Sequence, residues 1–132
     1  MKKALALLAL LAAVCCLLTF SAAAESAVAS GTCGESLTWT LDAAGTLTVS
    51  GTGAMEDYSV VDRAPWYSNC DSIKAVVIES GVTAIGDYAF NDCSSLASIN
   101  LPDSVTAIGD RAFDDCSSLT SINFPDSVTT IG

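Results

Sequence analysis

Three cysteines, Cys70, Cys93 and Cys116, stand 23 residues apart, and three pairs of acids keep the same interval: Asp87 with Asp110, Asp92 with Asp115, and Asp103 with Asp126. Such residues can pair as disulfides, attack as thiolates, share a hard cation such as calcium, or divide acid and base roles across a glycosidic bond. The sequence holds no histidine, so a Ser-His-Asp or Cys-His arrangement cannot be assembled. A disulfide wants its Cβ atoms ~3.8 Å apart and turned towards each other. Thiols repeated at a strand spacing of ~4.8 Å point the same way. An export context pulls towards pairing, but the shared phase favours free thiols filling an inward column, with Cys33 outside the register and unassigned. The acids lack the alternation and glycine of a calcium loop, and aspartate is at home in turns. Nothing supplies a sugar cleft. No catalytic residue, metal ligand or cofactor is therefore expected.

The interval that sets these residues also organises the elements that must hold them. Gly86, Gly109 and Gly132 share it, dividing the chain into units 64–86, 87–109 and 110–132. The second unit, DYAFNDCSSLASINLPDSVTAIG, differs from the third at five places, and the first, APWYSNCDSIKAVVIESGVTAIG, is a divergent version. A period in this range is the mark of a stacked repeat. Apolar residues recur as Ile73-x-x-Val76-x-Ile78, Leu96-x-x-Ile99-x-Leu101 and Leu119-x-x-Ile122-x-Phe124. The last two positions of each set alternate as a strand does, so each strand is expected to lie parallel on its copies. Pro102 or Pro125 then ends the strand, and Val105-x-x-Ile108 or Val128-x-x-Ile131 turns inward before a glycine turn. Phe90 and Phe113, with Tyr67 in the same phase, are expected to pack the far side. One unit cannot bury this set alone; stacked neighbours can.

These units resemble the BspA-like leucine-rich repeat of bacterial surface proteins, with a pattern close to C-x-x-L-x-x-I-x-L-P-x-S-V-x-x-I-G-x-x-A-F. Cys93, Leu96, Ile99, Leu101, Pro102, Ser104, Val105, Ile108, Gly109, Ala112 and Phe113 all fit it in phase, and the first unit departs at Glu79, Ser80 and Gly81. The resemblance implies a right-handed solenoid with a parallel sheet on one side and shorter extended or helical turns on the other. It also implies extracellular recognition.

Ahead of the units, Leu37-Thr38-Trp39-Thr40-Leu41 and Thr46-Leu47-Thr48-Val49-Ser50 alternate and are rich in β-formers, joined by Asp42-Ala43-Ala44-Gly45. They predict a hairpin covering the first coil, with Trp39 or Trp66 at the seam. Residues 51–63 are expected to be a connecting loop. The fold class is thus mainly β: a leucine-rich-repeat solenoid of 23-residue coils with a hairpin cap, organised as 25–63 cap and loop and 64–132 repeats.

Residues 1–24 read as an export signal: Lys2 and Lys3, the apolar run Ala4 to Phe20, then Ala22-Ala23-Ala24. Cleavage before Glu25 leaves Arg63, Lys74 and Arg111 as the cations against fifteen acids. A polyanion would be repelled, which argues against nucleic acid, and no membrane contact is expected after cleavage. The strand residues that do not point inward form ladders: Lys74, Ala97, Thr120; Ala75, Ser98, Ser121; Val77, Asn100, Asn123. On a rigid sheet they suit a broad extracellular protein or glycan, in an adhesion-like role. The alternatives are a structural spacer in a larger surface protein, or the non-catalytic part of an enzyme. The stop at Ile131-Gly132, in the phase of Ile108-Gly109, predicts further units and association of the isolated chain through its open end.

Overall fold

The computed structural model describes residues 27–132; the export-signal reading of residues 1–24 lies outside them. The chain is mainly β. Strands β1 (Ala27–Gly34), β2 (Leu37–Asp42), β3 (Thr46–Gly51), β5 (Ala75–Ile78) and β7 (Ser98–Asn100) form one sheet in that order. A second sheet has the order β4 (Gly53–Ala54), β6 (Val82–Ile85), β8 (Ala107–Ile108) and β9 (Thr130–Ile131). A 3-10 helix, Tyr67–Ser72, enters the first unit. No helix of the described residues is long and apolar enough to cross a membrane.

The hairpin forms where alternation predicts it. Trp39 lies opposite Val49 and Leu41 opposite Leu47, all four buried. Its turn is held by Asp42, whose carboxylate accepts from the Ala44 and Thr46 N–H groups at 2.9 and 3.0 Å. Strand β3 then pairs on its other edge, in parallel, with β5. From there the spacing of the sequence becomes the register of the sheets. Ala75 faces Ser98 and Val77 faces Asn100; in the second sheet Ala84 faces Ala107, which faces Thr130. Each pair is 23 residues apart, so like residues meet like: Val76 sits beside Ile99, and Ile85 beside Ile108.

Between the sheets lie Leu37, Leu47, Val49, Ile73, Val76, Val82, Ile85, Leu96 and Val105, all almost fully buried. A second column is aromatic. Trp66 meets Trp39 edge-on at 5.6 Å and stacks on Phe90 at 5.4 Å, which stacks on Phe113 at 5.5 Å. Here the phase expectation is corrected. Trp66, not Tyr67, fills the column; Tyr67, which opens the 3-10 helix, is half-buried against the core with the Arg63 guanidinium over its ring.

Four further features differ from expectation. The stretch 27–34 is a strand, pairing antiparallel with β2 through two register shifts. Within 51–63, expected as a loop, Gly53–Ala54 pairs in parallel with β6 and Met55 donates to the Ala84 carbonyl at 3.1 Å. The third unit contributes no strand to the first sheet: residues 119–124 are irregular, although they differ from 96–101 only at Thr120 and Phe124, so nothing in their own residues accounts for it. The turns differ too. Positive φ falls on Tyr88, Asp92, Arg111 and Asp115, not on Gly86 or Gly109.

Candidate functional site

The outward side of the five-stranded sheet is built by alternation. Because directly opposed residues share a face, Thr40 facing Thr48, Thr48 facing Val77 and Val77 facing Asn100 form one row, and Thr46, Ala75 and Ser98 a second. Of the residues singled out from sequence, Lys74, Ala97, Ser98 and Asn100 are exposed and Ala75 and Val77 half-buried. Ala75, Val77, Ser98 and Asn100 are thus brought together in register, with Lys74 immediately before β5. Thr120, Ser121 and Asn123 are exposed but outside the sheet. Sequence reasoning missed the extension of this face onto the hairpin through Thr38, Thr40, Thr46, Thr48 and Ser50. The signal was there, in two threonine-x-threonine alternations.

None of the residues on these rows is charged, on a chain of formal net charge −10. The acids lie in turns, where several have structural duties. Asp57 accepts from the Asp87 N–H at 3.0 Å, and Asp87 accepts from the Asp110 N–H at 2.7 Å, so this acid column ties unit to unit. The Ser104 and Ser127 hydroxyls do the same, each donating at 2.7 Å to a carbonyl of the preceding unit, Val82 and Val105. Asp115 is held above the usual carboxylate range, first by the neighbouring Asp114 charge and then by burial. Among the described residues no three acid or thiol side chains are placed to hold a metal ion.

Residues 63–132, just over half of the chain, match the BspA type leucine-rich repeat region. The chain belongs to this family. Among solved structures, a leucine-rich repeat protein from Eubacterium ventriosum is 38% identical with a TM-score of 0.70, over 78% of this chain and 28% of that one. A leucine-rich cell surface protein from Faecalibacterium prausnitzii is 26% identical with a TM-score of 0.51, over 80% of this chain and 33% of that one. The chain therefore spans about a third or less of either protein's length. No match was found among curated proteins.

The BspA-type phase also explains the thiols. Cys70, Cys93 and Cys116 are buried and unbridged, as is Cys33 on β1. The Cys116 thiol donates to the Phe90 carbonyl at 3.1 Å. Burial, and then the Glu56 charge, pushes the Cys33 thiol up to about 12. Burial pushes Cys116 up to about 11. The hydrogen bond with Cys70, then burial, raises Cys93 further. The same hydrogen bond lowers Cys70, so for that thiol burial alone bars the reagent. Since the thiolate is the reactive form and must also be reached, maleimide at neutral pH should leave all four buried thiols unlabelled in the folded chain and label all four in denaturant without reductant. A thiol that stays unlabelled after unfolding would reveal a disulfide. The pH dependence has a definite sign. A thiol raised in the folded state stabilises the fold fully below its ordinary value of 9.0, and that contribution is lost as pH rises through the folded values of about 11 and about 12. Stability should therefore fall between pH 9 and about 12, and less so in Cys33→Ala.

Proposed function

We propose that this chain is an extracellular recognition module of a bacterial surface or secreted protein, adhesion-like, that binds a protein or a glycan without catalysis of its own. In this reading residues 1–24 are an export signal. Residues 25–63 form the N-terminal β-hairpin cap and its connection, and 64–86, 87–109 and 110–132 are three 23-residue coils of a leucine-rich-repeat solenoid. The observation that carries the reading is the uncharged face, rowed from Thr40 to Asn100 on an otherwise acidic molecule. A flat array of hydroxyl and amide groups with no charge to desolvate can exchange hydrogen bonds with a broad polar partner at little cost. Ala75, Val77, Ala97, Ser98 and Asn100 would contribute from the repeats, with Lys74 as a single cation at the margin of the uncharged rows and Thr120, Ser121 and Asn123 beyond them.

The test presents the full chain to an array of neutral and acidic glycans and to a panel of extracellular proteins. Ser98→Arg and Asn100→Arg place a long charge on the face at exposed positions, where substitutions change stability by within ~0.5 kcal/mol. Any partner found should bind these variants at least tenfold more weakly. Undiminished binding by both variants, or no partner in either set, would overturn the reading.

A further inference from the structure

Val61 is 90% exposed, the most of any large apolar side chain among the described residues, and Val60 beside it is 57% exposed. We propose that the bend carrying them, residues 59–62, is a second interaction surface, whose two valines enter an apolar pocket ringed by lysine and arginine on a partner protein. It goes beyond the sheet-face reading and uses none of its residues.

The bend is built to hold its shape. The Ser59 N–H donates to the Asp62 carbonyl at 2.9 Å, and the Ser59 hydroxyl accepts from the Val61 and Asp62 N–H groups at 3.3 and 2.9 Å. Arg63 then fastens it to the second unit. Its Nε donates to the Val60 carbonyl at 3.1 Å, and its guanidinium donates to the buried Asn91 Oδ1 at 2.7 Å. The same guanidinium stands 3.6 Å from Asp92 and 4.2 Å from the centre of the Tyr67 ring, and the Tyr67 hydroxyl donates to Asp92 at 3.2 Å. Two valines held in water by a hydrogen-bonded bend forgo apolar burial, and a bend already tied in one shape costs less to order on binding, which is the condition for a preorganised contact.

Charge selects the partner. Glu56, Asp57 and Asp62 lie within five residues of Val61 along the chain and are exposed, while Arg63 is engaged by Asn91 and Asp92. The field at the tip is negative. An anionic lipid surface would be repelled, and so would a second copy of a chain with net charge −10. A basic protein surface would be drawn in, with apolar burial supplying the contact.

Panning the full chain against a displayed random-peptide library should enrich peptides that combine a large apolar residue with lysine or arginine. A synthesised winner should bind Val61→Asp at least tenfold more weakly, with the circular dichroism spectrum unchanged, and bind the parent more tightly as salt is lowered. Arg63→Ala, which keeps both valines but unfastens the bend, should also weaken binding; if it fails to fold, Val61→Asp decides alone. Asn100→Arg should bind the peptide like the parent, which separates failure here from failure of the sheet-face reading. The proposal is overturned if no such peptides are enriched, or if the winner binds Val61→Asp as it binds the parent. Val61-dependent pelleting with phosphatidylglycerol vesicles would also overturn it, by assigning the tip to lipid.

Discussion

Replacing Trp66 by alanine should cost about 3–5 kcal/mol, the range for deleting a large buried aromatic, and so consume much of the ~5–15 kcal/mol that holds a domain of this size together. Trp66 is fully buried, meets Trp39 and Tyr58 edge-on and stacks on Phe90, so its removal opens the junction between hairpin and repeats. Its indole N–H donates to the Ala89 carbonyl at 2.8 Å, and that buried carbonyl would lose its partner. Trp66→Phe separates the two contributions, since it keeps a ring in the column and gives up the hydrogen bond. It should cost distinctly less, with about 1–3 kcal/mol from the unsatisfied carbonyl. Urea unfolding of parent and both variants measures this. Equal losses in the two variants would mean that the stacking is incidental.

The second large effect is expected at a glycine. A Cβ on Gly86 would run into the Glu56 carbonyl, and one on Gly109 would meet the Asp87 backbone and the Gly86 carbonyl carbon. Neither glycine has positive φ, so what each supplies is space between successive passes of the backbone. The obstacle is main chain, which cannot swing aside as a side-chain tip can. Gly86→Ala should therefore cost about 3 kcal/mol or more, at the upper end for overpacking. Thr83→Ala, at an exposed position on the neighbouring strand, should stay within ~0.5 kcal/mol. Comparable melting temperatures for the two variants would show that the strand stack can part without penalty.

Much of this architecture is legible in residue spacing because its pairing is set by repetition. Once Ile85 and Ile108 occupy the same phase, stacking them is the way to bury both, and the observed register follows. The hairpin is legible for a local reason: Trp39 and Leu41 alternate with threonine, and a four-residue turn closes it. Strand β1 carries no such signal. Its residues are small, its burial has no alternation along Ala27–Gly34, and it is a strand because β2 offers an edge. Strand β4 is two residues long, too short for any period to register. On the outward face, the ladder through Ala75, Val77, Ser98 and Asn100 follows from phase alone. Its continuation onto Thr46 and Thr48 is only half legible: the threonine alternation marks an outward face on the hairpin, but joining that face to the ladder depends on β3 pairing with β5, which the spacing of the repeats says nothing about. The Val60-Val61 bend was hidden for another reason: the Arg63 side chain that fastens it is itself held by Asn91 and Asp92, far along the sequence.

Strand β3 has one edge in an antiparallel ribbon and the other in a parallel stack, and this bears on how the chain finds its shape. The ribbon with β2 closes through a four-residue turn, an event of ~1–10 μs. The first parallel contacts, Thr46 with Ala75 and Gly53 with Val82, must each close a loop of 29 residues, and those between repeats, such as Ala75 with Ser98, loops of 23. Such closures cost more entropy, although only ~0.6 kcal/mol for each doubling of loop length. The local ribbon is therefore expected to form first, and its free edge would be a template with its hydrogen-bonding groups already aligned. Because that template precedes its followers in the chain, a polypeptide emerging amino end first can add one strand at a time in the order in which the residues arrive.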